Sequence, residues 1–253
     1  MGKRKITEEG LAYDRYLERT GEDKAPITTA LIDMDGVLYD SMKNHSKAWC
    51  RLSDELGWKY SPEEFFLYEG MTGAAIIRLM MKREMGRTDI SDEEAKDLYA
   101  KKAQYFMELG EVDQIDGTFE MLTTLRSAGI KRVLVTGSGQ KTLLERIQKD
   151  YPGAFPDDLR VTAHDVKYGK PNPEPYLMGL KKAGAEPGNT IVIENAPLGV
   201  QAGHASGCFT VAVTTGPIPK EEMVKSGADI VYPTMRAFAE QLPWLIGARN
   251  YSF

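Results

Sequence analysis

Six short apolar runs, separated by stretches of helix length, constrain the fold of this chain more than any other feature. They lie at residues 28–33, 132–136, 160–163, 190–193, 210–213 and 229–232. Each is nearly continuous rather than alternating, the pattern of strands covered on both faces. Helix-like segments fill the intervals at 117–128, 140–149, 173–183, 197–206 and 220–225. Strands alternating with helices predict an α/β protein built on a doubly wound parallel sheet. Residues 41–112 break the rhythm and contain no good strand. There Ala48, Trp49, Leu52 and Leu56, then Ile76, Ile77, Leu79 and Met80, then Leu98, Tyr105, Phe106 and Leu109 recur near helical spacing. The expected organisation is a core of residues 27–40 and 113–253 and a small all-helical domain, 41–112, inserted after the first strand. Residues 1–26 are highly charged, with a short apolar stripe of Leu11, Tyr13, Tyr16 and Leu17. They read as a frayed or loosely docked extension, with an oligomer contact as the alternative.

With 253 residues, 42% apolar and 27% charged, the chain can bury a sizeable core. A net charge of -5 with no long basic run argues against nucleic acid as a partner. Cys50 and Cys208 do not form a CxxC pair, which argues against a zinc site or a disulfide framework. Reduced, buried thiols fit a cytoplasmic protein. No apolar run is long enough to cross a membrane, and the polar stretch 6–22 after the basic start is unlike a signal peptide. A monomer is the default expectation.

In doubly wound sheets ligands bind beyond the carboxyl ends of the strands, so the residues closing each strand matter most. The first strand ends in Asp33-Met34-Asp35-Gly36. A pair of carboxylates there is costly unless a cation or donors compensate it. A calcium loop is excluded, because its twelfth position holds Asn44 rather than Glu. The second strand ends in Thr136-Gly137-Ser138-Gly139, which offers a hydroxyl and open N–H groups to an anion or else makes an ordinary turn. Lys170, held before Pro171-Asn172-Pro173, is either a fixed cation or a solvated surface residue. Glu194-Asn195 ends the fourth strand with oxygen ligands suited to a hard cation such as Mg²⁺, though Asn195 could instead cap the helix starting at Pro197.

Together these residues resemble the haloacid dehalogenase superfamily. Asp33-x-Asp35-Gly36-Val37-x-x-x-Ser41 looks like its first motif, Thr136 its second, Lys170 its third and Glu194-Asn195 its fourth. The insert resembles the family's small C1 cap, and the chain looks most like the β-phosphoglucomutase-like group, which contains sugar-phosphate mutases, sugar phosphatases and some inorganic pyrophosphatases. The resemblance implies that Asp33 attacks phosphorus and that Asp35 serves as acid and then base. It implies that Thr136, Gly137, Ser138 and Lys170 hold the phosphoryl oxygens. It also implies that Asp33, the Asp35 carbonyl, Asn195 and Glu194 hold Mg²⁺.

Two departures from the family pattern bear on substrate. Asn195 stands where relatives commonly carry an acid, which removes a negative charge from the metal site. In the cap loop Glu69-Gly70-Met71-Thr72-Gly73, an acid replaces the cations that mutases use for a distal phosphate, and Gly73 takes the place of an Arg. Glu69 is therefore expected to move onto the metal when the cap closes, leaving room only for a small substrate. Its alternative is a solvated turn residue. His45, near the hinge, contacts substrate or the surroundings of Asp35, or is structural. His164 and His204 read as structural, and Met80, Met81 and the cap aromatics as core. The favoured function is a Mg²⁺-dependent phosphohydrolase for a small phosphate, with pyrophosphate first. The alternatives are a β-phosphoglucomutase or sugar-phosphate phosphatase, and a catalytically weak phosphate-binding regulatory protein.

Overall fold

The structure is a computed structural model that describes residues 7–138 and 141–250, without the side chains of 141–143 and 248–250. Gly139 and Gln140, which the strand-end motif and the predicted helix at 140–149 include, lie outside the described residues, as do residues 1–6. Among the described residues the order is α1 (Glu8–Thr20), β1 (Thr29–Ile32), α2 (Met42–Glu55), α3 (Pro62–Leu67), α4 (Gly73–Met85), α5 (Asp92–Glu108), α6 (Thr118–Ser127), β2 (Lys131–Val135), α7 (Lys141–Asp150), β3 (Arg160–Val161), α8 (Glu174–Ala183), β4 (Thr190–Glu194), α9 (Pro197–Ala205), β5 (Phe209–Val213), α10 (Lys220–Lys225), β6 (Ile230–Tyr232) and α11 (Met235–Asn250).

The strands form one parallel sheet in the order β3-β2-β1-β4-β5-β6. All residues of β1, β4 and β5 are buried, which is why these strands read as continuous apolar runs. The direction of winding reverses at β1, which lies between β2 and β4, so the crevice at its carboxyl end is where a ligand site is expected. Ile32 pairs with both Leu134 and Ile193. That register brings Asp33 level with Glu194.

Residues 41–112 contain α2 to α5 and no strand. Ala48, Trp49, Leu52, Ile76, Ile77, Met80, Tyr105 and Phe106 are buried as the spacing predicts, whereas Leu79 and Leu109 are exposed. The chain leaves and re-enters the core side by side: the Asp40 N–H donates to the Asp113 carbonyl at 2.8 Å, and that of Ile115 to Leu38 at 3.0 Å.

The amino-terminal segment differs from the expectation of a frayed or loosely docked extension. Thr7 caps α1 by accepting from the Gly10 N–H at 3.2 Å. Ala12, Tyr13 and Tyr16 are buried. Tyr16 packs edge-on against Phe209 with ring centres 5.5 Å apart, and its hydroxyl donates to the Gly207 carbonyl at 3.0 Å. The stripe at spacings of one, three and four residues forms a helical face that closes over β5, while Leu11 points to solvent. Cys50 is half-buried rather than buried, whereas Cys208 is buried.

Candidate active site

The carboxyl edge of the sheet gathers the groups that the strand ends carry. Asp33 follows β1 directly, and its N–H donates to the Ile193 carbonyl at 3.1 Å, extending the ladder by one residue. Gly36 then turns the chain with a φ of +78°, and a Cβ there would sit 1.9 Å from Asn195 Nδ2, so only glycine lets β4's end approach. Asn195 is not a helix cap, since Ala196 holds that position of α9.

Lys170 is fully buried, not a solvated surface residue. Its ammonium donates to Asp33 Oδ1 at 2.5 Å, to Glu194 Oε1 at 2.5 Å and to the Val135 carbonyl at 3.2 Å. Burial alone would lower its pKa, but Asp33 and Glu194 outweigh burial and raise it, so it is a permanent cation. Glu194 has four donors: Lys170, the Tyr176 hydroxyl at 2.6 Å, and the N–H groups of Asn195 at 3.0 Å and Ala196 at 3.3 Å. With about four lone-pair sites on a carboxylate, Glu194 is committed to placing Lys170 and Asn195. Its expected role as a metal ligand has no free lone pair to support it.

The cap reaches into this edge at two places. Glu69 is buried, and its Oε1 accepts from Asn195 Nδ2 at 2.8 Å. It is therefore not a solvated turn residue. Burial pushes its carboxyl well above the usual range, as do Asp33, Glu194 and Asp35, against the single hydrogen bond from Asn195. At the second place Asp35 Oδ1 accepts from the Ser41 hydroxyl at 2.5 Å and lies 3.2 Å from His45 Nε2. On its other side His45 Nδ1 lies 2.5 Å from the ammonium of Lys102, a fully buried residue of α5. An ionised Asp35 can only accept, so Nε2 carries the hydrogen that points at it and Nδ1 accepts from Lys102. His45 is further fixed by stacking on Phe106, with ring centres 4.2 Å apart. Burial alone would raise Asp35, but His45, Ser41 and Lys102 prevail and hold it below its ordinary value.

Thr136 and Ser138 are buried, with Thr136 Oγ1 accepting from the Ser138 N–H at 2.9 Å, and Gly137 and Ser138 line a cavity together with Asp33. That cavity, between cap and core, has a volume of about 60 Å³ and is lined by Asp33, Asp35, Glu69, Tyr99, Lys102 and Ser138 among others. At about 10–15 Å³ of such space per water, it holds only a few waters.

Does this edge suit a divalent cation? Asn195 Oδ1 is buried and has no hydrogen-bond partner. Burial, the largest influence, pushes Asp33 upward despite Lys170, with Glu194 and Asp35 adding to the rise. The edge thus carries more carboxylate than Lys170 neutralises, and it holds a buried amide oxygen without a partner. Among the described residues no three acidic, His or Cys side chains form a ready-made cage. That is ordinary for Mg²⁺, which keeps several waters and takes one or two carboxylates plus substrate oxygens. The residues fit.

A profile of haloacid dehalogenase-like hydrolases matches residues 27–207. The chain belongs to the haloacid dehalogenase-like hydrolases. Among the relatives of this hydrolase are hexitol phosphatase A of Escherichia coli K12, 30% identical over 72% of this chain and 81% of the relative, and a phosphorylated carbohydrates phosphatase of Thermotoga maritima, 29% identical over 70% and 80%. A solved structure from Bacteroides vulgatus, provisionally assigned as a β-phosphoglucomutase, superimposes with a TM-score of 0.91 at 41% identity, covering 97% of this chain and 99% of that one. Among the described residues, no helix of the hydrolase is long and apolar enough to cross a membrane.

Asp33, Asp35, Thr136, Gly137, Ser138, Lys170, Glu194, Asn195, Glu69 and His45, the residues expected from the sequence, lie together at the carboxyl edge of the sheet and the cap above it. Sequence reasoning missed Lys102 and Tyr176. Lys102 had a legible signal: it shares a helical face with Leu98, Tyr105, Phe106 and Leu109, where a charged residue is out of place. A Cβ at Gly73 would sit 2.1 Å from the Tyr99 ring, which occupies the space. His204 is structural as expected, with Nδ1 3.0 Å from the Gly227 carbonyl.

Proposed function

We propose that this hydrolase cleaves phosphoric bonds through a covalent intermediate on Asp33, with compact substrates, inorganic pyrophosphate first, preferred over sugar phosphates. Asp33 attacks phosphorus; the new bond from its carboxylate oxygen forms as the bond to the leaving group breaks. Asp35, ionised in the free protein, takes up a proton as the anionic substrate binds, gives it to the departing group, and later takes one from the water that releases phosphate from Asp33. Lys170, positioned by Glu194, offsets the repulsion between the attacking carboxylate and the phosphoryl oxygens. Thr136, Gly137 and Ser138 offer hydroxyl and backbone donors on the other side. Asp33, the Asp35 carbonyl, Asn195 and Glu69 would hold Mg²⁺, which would neutralise charge on the phosphoryl group when bound.

The observation that carries the substrate class is Glu69. Its carboxylate lies inside the cavity against Asn195, where the closed cap leaves about 60 Å³. A hexose phosphate has far more atoms than a pyrophosphate and would have to displace the Glu69 loop. A second anionic group on a sugar would also meet an acid there. The second reading, a sugar-phosphate phosphatase, is favoured by the names of the relatives. It requires the cap to stand further open than it does here. A β-phosphoglucomutase reading rests on the likeness to the Bacteroides vulgatus protein.

One assay separates these readings: phosphate release with Mg²⁺ from pyrophosphate, hexitol and hexose 6-phosphates and β-glucose 1-phosphate. Preference for pyrophosphate, lost in Asp33→Asn, supports the proposal. Faster turnover of the sugar phosphates would overturn the substrate assignment and leave the Asp33 chemistry standing. Conversion of β-glucose 1-phosphate without phosphate release would establish the mutase.

A further inference from the structure

The segment that carries Glu69 touches core side chains at two points, the Glu69–Asn195 hydrogen bond and Gly70, where a Cβ would lie 3.0 Å from the Lys170 side chain. It lands on two glycines from separate core loops. A Cβ at Gly169 would lie 2.9 Å from Thr72 Cγ2 and 2.9 Å from the Thr72 backbone nitrogen, with the Gly70 carbonyl oxygen next at 3.6 Å. A Cβ at Gly137 would lie 2.8 Å from the Gly70 carbonyl oxygen and 3.1 Å from that of Met71. Every one of these neighbours belongs to the cap loop, and none to the core. Gly169 has no positive φ, so its backbone is open to any residue and its lack of a side chain serves only the approach of the cap. Contacts under 3.0 Å to backbone atoms are not relieved by turning a side chain, so the loop itself would have to move.

We propose that Gly169 is a specificity-determining residue: together with Gly137 it forms the seat that sets how deeply the cap loop 69–72 descends, and hence how large a substrate the closed cavity admits. Glu69 is brought to Asn195 by that descent, not by any contact of its own with the seat. Raising the floor at 169 by one methyl lifts Thr72, withdraws Glu69 and widens the cavity, while the groups on the sheet edge keep their places. The proposal rests on the cavity between cap and core being the substrate site.

The test uses the full chain with Gly169→Ala, Gly169→Ser and Gly169→Val as a graded series. The first measurement, made without substrate, is amide hydrogen exchange of the peptide spanning 68–76. Exchange should quicken at least tenfold in Gly169→Ala and further with side-chain size, while core peptides hold their rates. The second is kcat/KM for pyrophosphate against glucose 6-phosphate. The ratio should fall at least tenfold in Gly169→Ala, with glucose 6-phosphate turnover held or raised. Unchanged loop exchange across the series would overturn the seat whichever substrate the wild type prefers. Equal loss on both substrates would also overturn it, because Gly169→Ala would then be acting through its neighbour Lys170. A wild type that favours glucose 6-phosphate, with loop exchange rising as described, would reject only the pyrophosphate assignment.

Discussion

Lys102 allows a sharp test, because its burial has opposite consequences for stability and for the site. It is about 1% exposed, and burial depresses its pKa from 10.5 to about 7, against a smaller upward pull from Asp35. Below pH 7 both native and unfolded Lys102 carry a proton, and the full penalty stands. Between about pH 7 and 10.5 the unfolded chain holds a proton that the native protein lacks, so stability climbs with pH. The penalty is about 4 kcal/mol at pH 7 and about 2 kcal/mol at pH 9. Lys102→Met removes all of it. The variant also leaves His45 Nδ1 without its donor, at about 2 kcal/mol. The variant is therefore expected to be more stable than the wild type by about 2 kcal/mol at pH 7 and about equal to it at pH 9. Urea denaturation at the two pH values measures both. A difference that does not move between pH 7 and pH 9 would refute the argument, because it would mean Lys102 keeps an ordinary pKa. Phosphate release by the same variant should fall, since His45 loses the partner that fixes the hydrogen aimed at Asp35.

Two further outcomes follow from the geometry. Tyr16→Ala empties the contact between α1 and Phe209 and should cost about 3–5 kcal/mol in urea denaturation; a loss under about 1 kcal/mol would mean that α1 is not integral to the core. Asn195→Asp places another carboxylate beside Asp33 and Glu69. It should lower the melting temperature without divalent cation and enlarge the stabilisation by added Mg²⁺; an unaltered Mg²⁺ shift would remove Asn195 from the ligand set.

The core was legible because its information is local. Each strand is a continuous apolar run, and the residue that closes it delivers its chemistry to the sheet edge whatever the rest of the chain does. Asp33, Thr136 and Glu194 needed only the parallel register of β1, β2 and β4 to meet. What could not be read there was occupancy. Glu194 looks like a ligand in the sequence, yet Lys170, Tyr176 and two N–H groups take its lone pairs. The docking of α1 was hidden for a different reason. Its charges outnumber its aromatics, and only one face of a helix is needed to bury Tyr13 and Tyr16 against Phe209.

The cap is harder to read because its contributions come from separate elements that meet only after docking. His45 lies on α2, Lys102 on α5 and Glu69 in the loop before α4, and no sequence spacing relates them. Lys102 follows Lys101 in a helix rich in lysine, so a charge-based reading places both on the surface. In the structure Lys101 pairs with Glu55 at the surface while its neighbour turns inward to His45. Gly137 and Gly169 are more hidden still, since a missing side chain gains meaning only from the atoms that fill its space. The residues that break and make bonds therefore stand in a pattern fixed by the sheet. Those that decide which substrate reaches them depend on how two surfaces fit, and Gly169 is where that fit admits no additional carbon.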